Sequence, residues 1–282
     1  MISTVEELRT RLAQARAAAP EGARIALIST IGALHDGHID LVHRAREVAD
    51  IVVVSIFVNP LRFATTAELE AYPRTLDDDE RLLSSLGVDL VFAPEASVLL
   101  PQGSNTTKVS AGDLGLRYEG RTRPFYFDGL LTIEAKLFGI VRPDVAVYGL
   151  RDRQRIFLVQ RMIRDLFFDV EVATVETVRS DDGLPVSSRV GMLDDAHLAA
   201  AAKLPRALDA AAANADRGID ACIAAAQSSL MGEPRIRLEY LSIVDPATFL
   251  LVDEGKSGPA LALIAATVGG HRFVDNAEVY VG

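Results

Sequence analysis

The sequence predicts an α/β protein: a doubly wound parallel sheet followed by a smaller α+β domain. Three observations carry this. Short apolar runs alternate with helical patterns from residue 24 to about 174. The runs are continuously apolar, as in Ile51-Val52-Val53-Val54-Ser55-Ile56-Phe57-Val58, the pattern of strands covered by helices on both faces. After about Val178 the pattern changes to Ala-rich helical stretches and then three strand-like runs.

Each element follows in order. Residues 1–19 form an amphipathic helix (Val5, Leu8, Leu12, Ala15) without the basic start and apolar core of a signal peptide. Strands are expected at 24–29, 51–58, 89–92, 145–148 and 170–175, and helices at about 38–49, 76–86, 130–141 and 152–166. Asp181-Asp182-Gly183 signals a turn, and the polar link 179–189 is expected to hinge. Helices at about 194–215 and 219–231 follow, then antiparallel strands at 235–243, 260–268 and 272–281. The expected domains are 1–178 and 179–282.

Composition narrows the function. A net charge of −10 over 282 residues argues against nucleic acid as the partner. No apolar run reaches the ~20 residues of a membrane span. The single cysteine, Cys222, lies in Ala221-Cys222-Ile223-Ala224, reads as a buried small hydrophobe, and suits a reducing cytoplasm. The basic residues are nearly all arginine, with only four lysines among 29.

The chemistry is concentrated in Ser29-Thr30-Ile31-Gly32-Ala33-Leu34-His35-Asp36-Gly37-His38. A strand ends there, a glycine turn follows, and a helix opens with two histidines. A helix N-terminus offers unpaired N–H groups and partial positive charge, which suits phosphate. Gly32 and Gly37 permit close backbone approach, and His35 and His38 can both donate to phosphate oxygens. In a doubly wound sheet, ligands bind at the carboxyl ends of strands. Residues 29–38, 59–63 and 149–154 all fall at such ends, so three motifs are expected to share one crevice. Asp77-Asp78-Asp79 follows Thr75 and suits a helix's first turn better than a metal cluster. His43 and His197 read as surface residues, and His271 as a hairpin tip. Arg121 and Arg123 flank a loop and either attract anions or are plain surface residues.

The chain resembles the pantoate–β-alanine ligase (pantothenate synthetase) family of the HIGH-type nucleotidyltransferase superfamily. The resemblance spans nearly the whole length and rests on residues 32–38, 54–60, 72–75 and 141–144, on Asp182-Gly183-Leu184 and Ser187-Ser188-Arg189, and on Asp275-Asn276. It implies a Rossmann-like first domain, a smaller closing lid domain, a cytoplasmic homodimer, and an acid–amine ligation through an acyl adenylate. ATP is the cofactor, accompanied by Mg2+, and the partners are a small carboxylic acid and an amine. It implies catalytic roles for His35, His38, Asn59 and Arg151. ATP would be held by Ile31, Gly32, His35, Gly37, His38, Gly149, Leu150, Arg151, Asp152, Val178, Val186, Ser187, Ser188 and Arg189. The acid would meet Ser29, Ile31, Arg62, Tyr126 and Arg155.

Departures from the family cluster in that site. Its Pro-Thr-Met-Gly is Ser29-Thr30-Ile31-Gly32 here, and its two acid-gripping glutamines are Arg62 and Arg155. Its phosphate-binding lysine is Arg151, a neighbouring acidic or amide residue is Leu150, and Arg-Pro-x-His-Phe reads Arg123-Pro124-Phe125-Tyr126-Phe127. Glutamine offers a donor and an acceptor, whereas arginine only donates. Two added cations in one crevice repel unless an anion lies between them. By family default the acid is pantoate and the amine β-alanine; the alternatives are a ligase or nucleotidyltransferase for a more anionic acid held by Arg62 and Arg155, and a catalytically degenerate nucleotide-binding homologue, while the two arginines can also simply re-pair with local acids.

Overall fold

The computed structural model describes residues 1–63, 65–101 and 107–282. The chain divides into two compact units: 1–116 with 123–150 and 155–176, and 117–122 with 151–154 and 177–282.

In the first unit, α1 (Val5–Ala18) leads into β1 (Ile25–Thr30), α2 (Asp36–Val48), β2 (Ile51–Ile56), α3 (Thr66–Glu70), α4 (Leu76–Ser85), β3 (Leu90–Phe92) and α5 (Ala96–Leu99). The short α6 (Glu119–Thr122) belongs to the second unit. The first unit continues with α7 (Tyr126–Val141), β4 (Val145–Gly149), most of α8 (Arg153–Asp165) and β5 (Glu171–Val175). The five strands are parallel, in the order β3-β2-β1-β4-β5, so the chain winds outward both ways from β1.

Both faces of this sheet are buried, and the alternation of side chains divides them. Ile25, Leu27, Ile51, Val53, Ala146 and Tyr148 pack on one side with residues of α1, α7 and α8. Ala26, Ile28, Val52, Val54, Val145 and Val147 pack on the other with residues of α2 and α4. This is why the strands read as unbroken apolar runs. Aspartates fix the amino edge: Asp50, Asp89 and Asp144, each just before a strand, accept the backbone N–H of Arg24, Val52 and Ile25 at 2.7–2.8 Å.

The second unit contains α9 (Asp195–Ala201), α10 (Lys203–Ala213) and α11 (Ile219–Leu230), then β6 (Ile236–Val244), β7 (Gly258–Val268) and β8 (His271–Val281) in one antiparallel sheet of order β6-β7-β8. The expected helix 194–215 is two helices. Pro205 has no N–H for the carbonyl of the preceding turn, so it occupies the first turn of a new helix instead. Cys222 is buried, as expected. Gly269 and Gly270 take positive φ in the β7–β8 turn, beside His271. Among the described residues no helix is long and apolar enough to cross a membrane.

Candidate active site

The turn after β1 is shaped by one buried carboxylate. Gly32 (φ 81°) and Ala33 (φ 52°) both lie in the left-handed region. Asp79, 4% exposed, accepts the N–H groups of Ala33 and Leu34 at 3.0 Å each, and the Thr75 hydroxyl at 3.2 Å. A side chain at Gly32 would meet Asp79 Oδ2 at 3.0 Å. The three aspartates do fill the first turn of α4, and the third of them is committed to holding this turn.

The two histidines cap α2 reciprocally. His35 Nδ1 accepts the Gly37 N–H at 3.2 Å, and His38 Nδ1 accepts the His35 N–H at 3.2 Å. An Nδ1 that accepts leaves a neutral imidazole's proton on Nε2. Both rings therefore carry an Nε2–H donor, with centroids 4.2 Å apart. His38 Nε2 lies 3.3 Å from the Thr30 hydroxyl, which also accepts the Gly32 N–H. At Gly37 a Cβ would come within 3.1 Å of the His35 ring, so glycine lets the ring sit close to the backbone.

Beside Thr30, a pocket opens at the carboxyl ends of β1 and β2. It encloses about 310 Å³ including its open mouth, and it is lined by Ser29, Thr30, Ile31, Ser55, Asn59, Arg62, Glu134 and Arg155 among others. Four of the five expected acid-binding residues line it. The fifth, Tyr126, accepts from Arg62 Nη2 at 2.8 Å. Both Arg62 and Arg123 lie against the Tyr126 ring, so Arg123 is part of the pocket's support rather than a surface lure. Asn59 is 2% exposed. It donates to the Gly129 carbonyl at 3.1 Å and accepts from the Leu61 N–H at 3.0 Å, which ties its loop to α7. Gly129 makes that contact possible, since a Cβ there would stand 2.5 Å from Leu61 Cβ.

The expectation of two uncompensated cations is corrected here. Arg155 donates to Glu134 Oε1 at 2.5 Å and to Ser29 Oγ at 2.6 Å, and its guanidinium lies 4.9 Å from the centre of the Tyr148 ring. Ser29 Oγ and Tyr148 Oη also donate to Glu134, at 2.7 and 3.1 Å. Burial first, and the Glu134 charge next, push the Tyr148 phenol well above its ordinary range. The anion beside Arg155 is thus the protein's own, and the case for a more anionic substrate loses its physical basis.

Two pocket residues went unrecognised in the sequence. Glu134 directly follows Leu130-Leu131-Thr132-Ile133 and precedes Leu137-Phe138, and an acid on this largely apolar helix is a visible sign of a buried partner. Ser55 gave no signal within its strand. It is 1% exposed, its hydroxyl has no hydrogen-bond partner among the described residues, and it lines the pocket.

Gly149 closes β4, and Leu150–Asp152 form a 3-10 turn after it. In the second unit, Arg151 Nη1 donates to the Val186 carbonyl at 2.9 Å, and Asn276 Nδ2 donates to the Arg151 carbonyl at 2.9 Å. The link 179–189 folds as a hairpin within the second unit. Val186 N–H donates to the Val178 carbonyl at 2.9 Å, Gly183 turns the chain at φ 80°, and Arg179 grips Asp275 through both nitrogens at 2.7 and 2.9 Å. Burial pushes the Asp275 carboxyl above its usual range, and Arg179 opposes the shift. The Ser187 hydroxyl is buried without a hydrogen-bond partner among the described residues, Ser188 follows, and Arg189 precedes a 3-10 turn at Val190–Met192.

A parallel doubly wound sheet, a histidine-capped helix at its carboxyl edge and a polar pocket alongside define a nucleotide-dependent enzyme of the HIGH type. A family model described as pantoate–β-alanine ligase matches residues 1–278. Pantothenate synthetase from Leifsonia xyli subsp. xyli is 50% identical over 271 residues, covering 96% of this chain and 94% of that one. The pantothenate synthetase of a Nocardioides species is 46% identical, covering 99% and 85%. Among solved structures, pantothenate synthetase from Thermus thermophilus superposes with a TM-score of 0.89 at 40% identity, covering 99% of both chains. The Francisella tularensis pantoate–β-alanine ligase, solved with β,γ-ATP and β-alanine, gives 0.79 at 28% identity, covering 98% and 97%. The chain belongs to the pantoate–β-alanine ligase family. None of these relatives supports the alternatives of a nucleotidyltransferase or a degenerate homologue.

Proposed function

We propose that this chain joins pantoate to β-alanine at the cost of ATP, through pantoyl adenylate. One observation carries the reading: in the first unit, the two Nε2–H donors of His35 and His38 stand next to a pocket in which Arg155 is already paired with Glu134 and Arg62 remains to meet a carboxylate.

The chemistry has two steps. A carboxylate oxygen of pantoate attacks the α-phosphorus of ATP, the new O–P bond forms, and pyrophosphate leaves. The amine of β-alanine then attacks the acyl carbon. The C–N bond forms, the C–O bond breaks, AMP leaves with that oxygen, and the amine gives up a proton. Two anions must meet in the first step, so positioning and charge stabilisation supply most of the acceleration.

In this reading His35 and His38 donate to ATP phosphates through Nε2, with the α2 N-terminus behind them. Arg62, Arg155, Ser29, Ile31 and Tyr126 shape the acid site, with Asn59 holding its wall. Arg151, Ser187, Ser188 and Arg189 serve the phosphates, and Arg151 keeps a positive charge while offering a bidentate face. Ile31, Gly32, Gly37, Gly149, Leu150, Asp152, Val178 and Val186 complete the nucleotide's surroundings. Residues 1–178 carry the acid and histidine groups, and residues 179–282 act as the lid domain. Among the described residues no three His, Cys, Asp or Glu side chains are grouped to hold a metal. Mg2+ would accompany ATP, since it favours phosphate oxygens and water over a dedicated protein cage.

ATP–pyrophosphate exchange tests the proposal. Exchange that depends on pantoate, followed by AMP release on adding β-alanine, supports it. Exchange only with a phosphorylated or dicarboxylic acid, or with none, contradicts it.

A further inference from the structure

We infer that Glu134 is the specificity-determining residue that fits the acid pocket to a monocarboxylate. The inference rests on the ligase reading and adds a residue and a charge rule to it. Glu134 belongs to α7, whose neighbouring residues Leu130, Leu131 and Ile133 are buried and apolar. Its side chain is 3% exposed, yet it receives three donors: Arg155, Ser29 and Tyr148. A buried carboxylate is tolerated only when it is paired and hydrogen-bonded, and all of these conditions are met.

The consequence concerns what remains for a substrate. Arg155 is neutralised by Glu134. Arg62 meets the hydroxyl and ring of Tyr126, and among the described residues no carboxylate lies within ion-pair distance of it. The pocket therefore presents one uncompensated positive charge, Arg62, which suits one carboxylate. A second negative charge on the substrate would approach the fixed carboxylate of Glu134 in a site of low dielectric, where like charges repel strongly. Glu134 thus admits the hydroxylated monocarboxylate and rejects its dianionic relatives, despite the two arginines.

The test compares pantoate with 4-phosphopantoate, which carries the same skeleton and acid, in ATP–pyrophosphate exchange. Glu134→Gln removes one negative charge without changing shape. It should raise kcat/KM for 4-phosphopantoate relative to pantoate by about tenfold or more, mainly through KM. A ratio within about twofold of wild type, in a variant with a native circular dichroism spectrum, overturns the inference. Should the single variant not fold, Glu134→Gln with Arg155→Lys removes the carboxylate and keeps a cation beside it. That double variant should shift the ratio toward 4-phosphopantoate in the same direction, and an unmoved ratio in it overturns the inference. A wild-type enzyme inert toward pantoate contradicts the ligase reading itself. An active wild type with an unmoved Glu134→Gln ratio contradicts only the role of Glu134.

Discussion

Asp79 and Ala33 are joined by a 3.0 Å hydrogen bond across 46 residues of chain, and the second oxygen of the same carboxylate takes the next N–H, that of Leu34. The strained turn that presents the histidines is therefore held from α4. Asp79→Asn keeps the shape but loses one of two acceptors and introduces a donor facing an N–H. The change should lower stability by about 1–3 kcal/mol and raise the KM for ATP. Urea denaturation and exchange kinetics measure the two effects; an unchanged KM for ATP contradicts the role assigned to the turn.

His38→Ala removes an Nε2–H donor and one arm of the α2 cap. Pantoate-dependent exchange should fall by about 10²–10³-fold, while stability falls by only about 1 kcal/mol. A variant that retains a tenth of wild-type exchange is incompatible with His38 acting on the phosphates.

Ser55 holds a buried hydroxyl on the pocket wall with no partner among the described residues. If a substrate hydroxyl completes it, Ser55→Ala should leave the melting temperature of the free protein unchanged or higher. The KM for pantoate should rise about three- to tenfold, the worth of one neutral hydrogen bond. A lower melting temperature with an unaltered KM assigns Ser55 to packing instead.

Gly129→Ala places a methyl group 2.5 Å from Leu61 Cβ. The loop must shift, at a cost of about 1–3 kcal/mol, and it carries Asn59 and Arg62 with it. Pantoate turnover should fall more than ATP binding does, as read by the two KM values.

Tyr148 is buried and Tyr240 half-buried, and desolvation holds both phenols well above the ordinary value of 10.0. The folded state keeps a proton that the unfolded chain gives up near pH 10. Their contribution is therefore complete below pH 10 and is lost as the pH rises beyond it. Urea midpoints should hold up to about pH 10 and fall as the pH rises beyond it. Tyr148→Phe should flatten that fall while lowering neutral stability by about 1 kcal/mol, because Glu134 loses a donor.

The fold was legible because its rules are local. Unbroken apolar runs gave the five parallel strands, since residues such as Ile51 to Val54 alternate between two buried faces. The histidine end was legible for the same reason: His35, Gly37 and His38 bond to one another within a single helical turn. What escaped the sequence is long-range. Arg155 looked like a surplus cation because its counter-ion lies 21 residues away on another helix, and Asp79 gave no hint that its partners are 45 and 46 residues back. The Pro205 break was readable and was overridden by the alanine pattern around it.

The central claim is that pantoate is activated as an acyl adenylate. Pantoate labelled with 18O in its carboxylate tests it directly, with mass analysis of the products after turnover with ATP and β-alanine. The account predicts one labelled oxygen in AMP for each amide formed, because the attacking oxygen stays on phosphorus when the C–O bond breaks. Label in inorganic phosphate, or amide formed with unlabelled AMP, contradicts it.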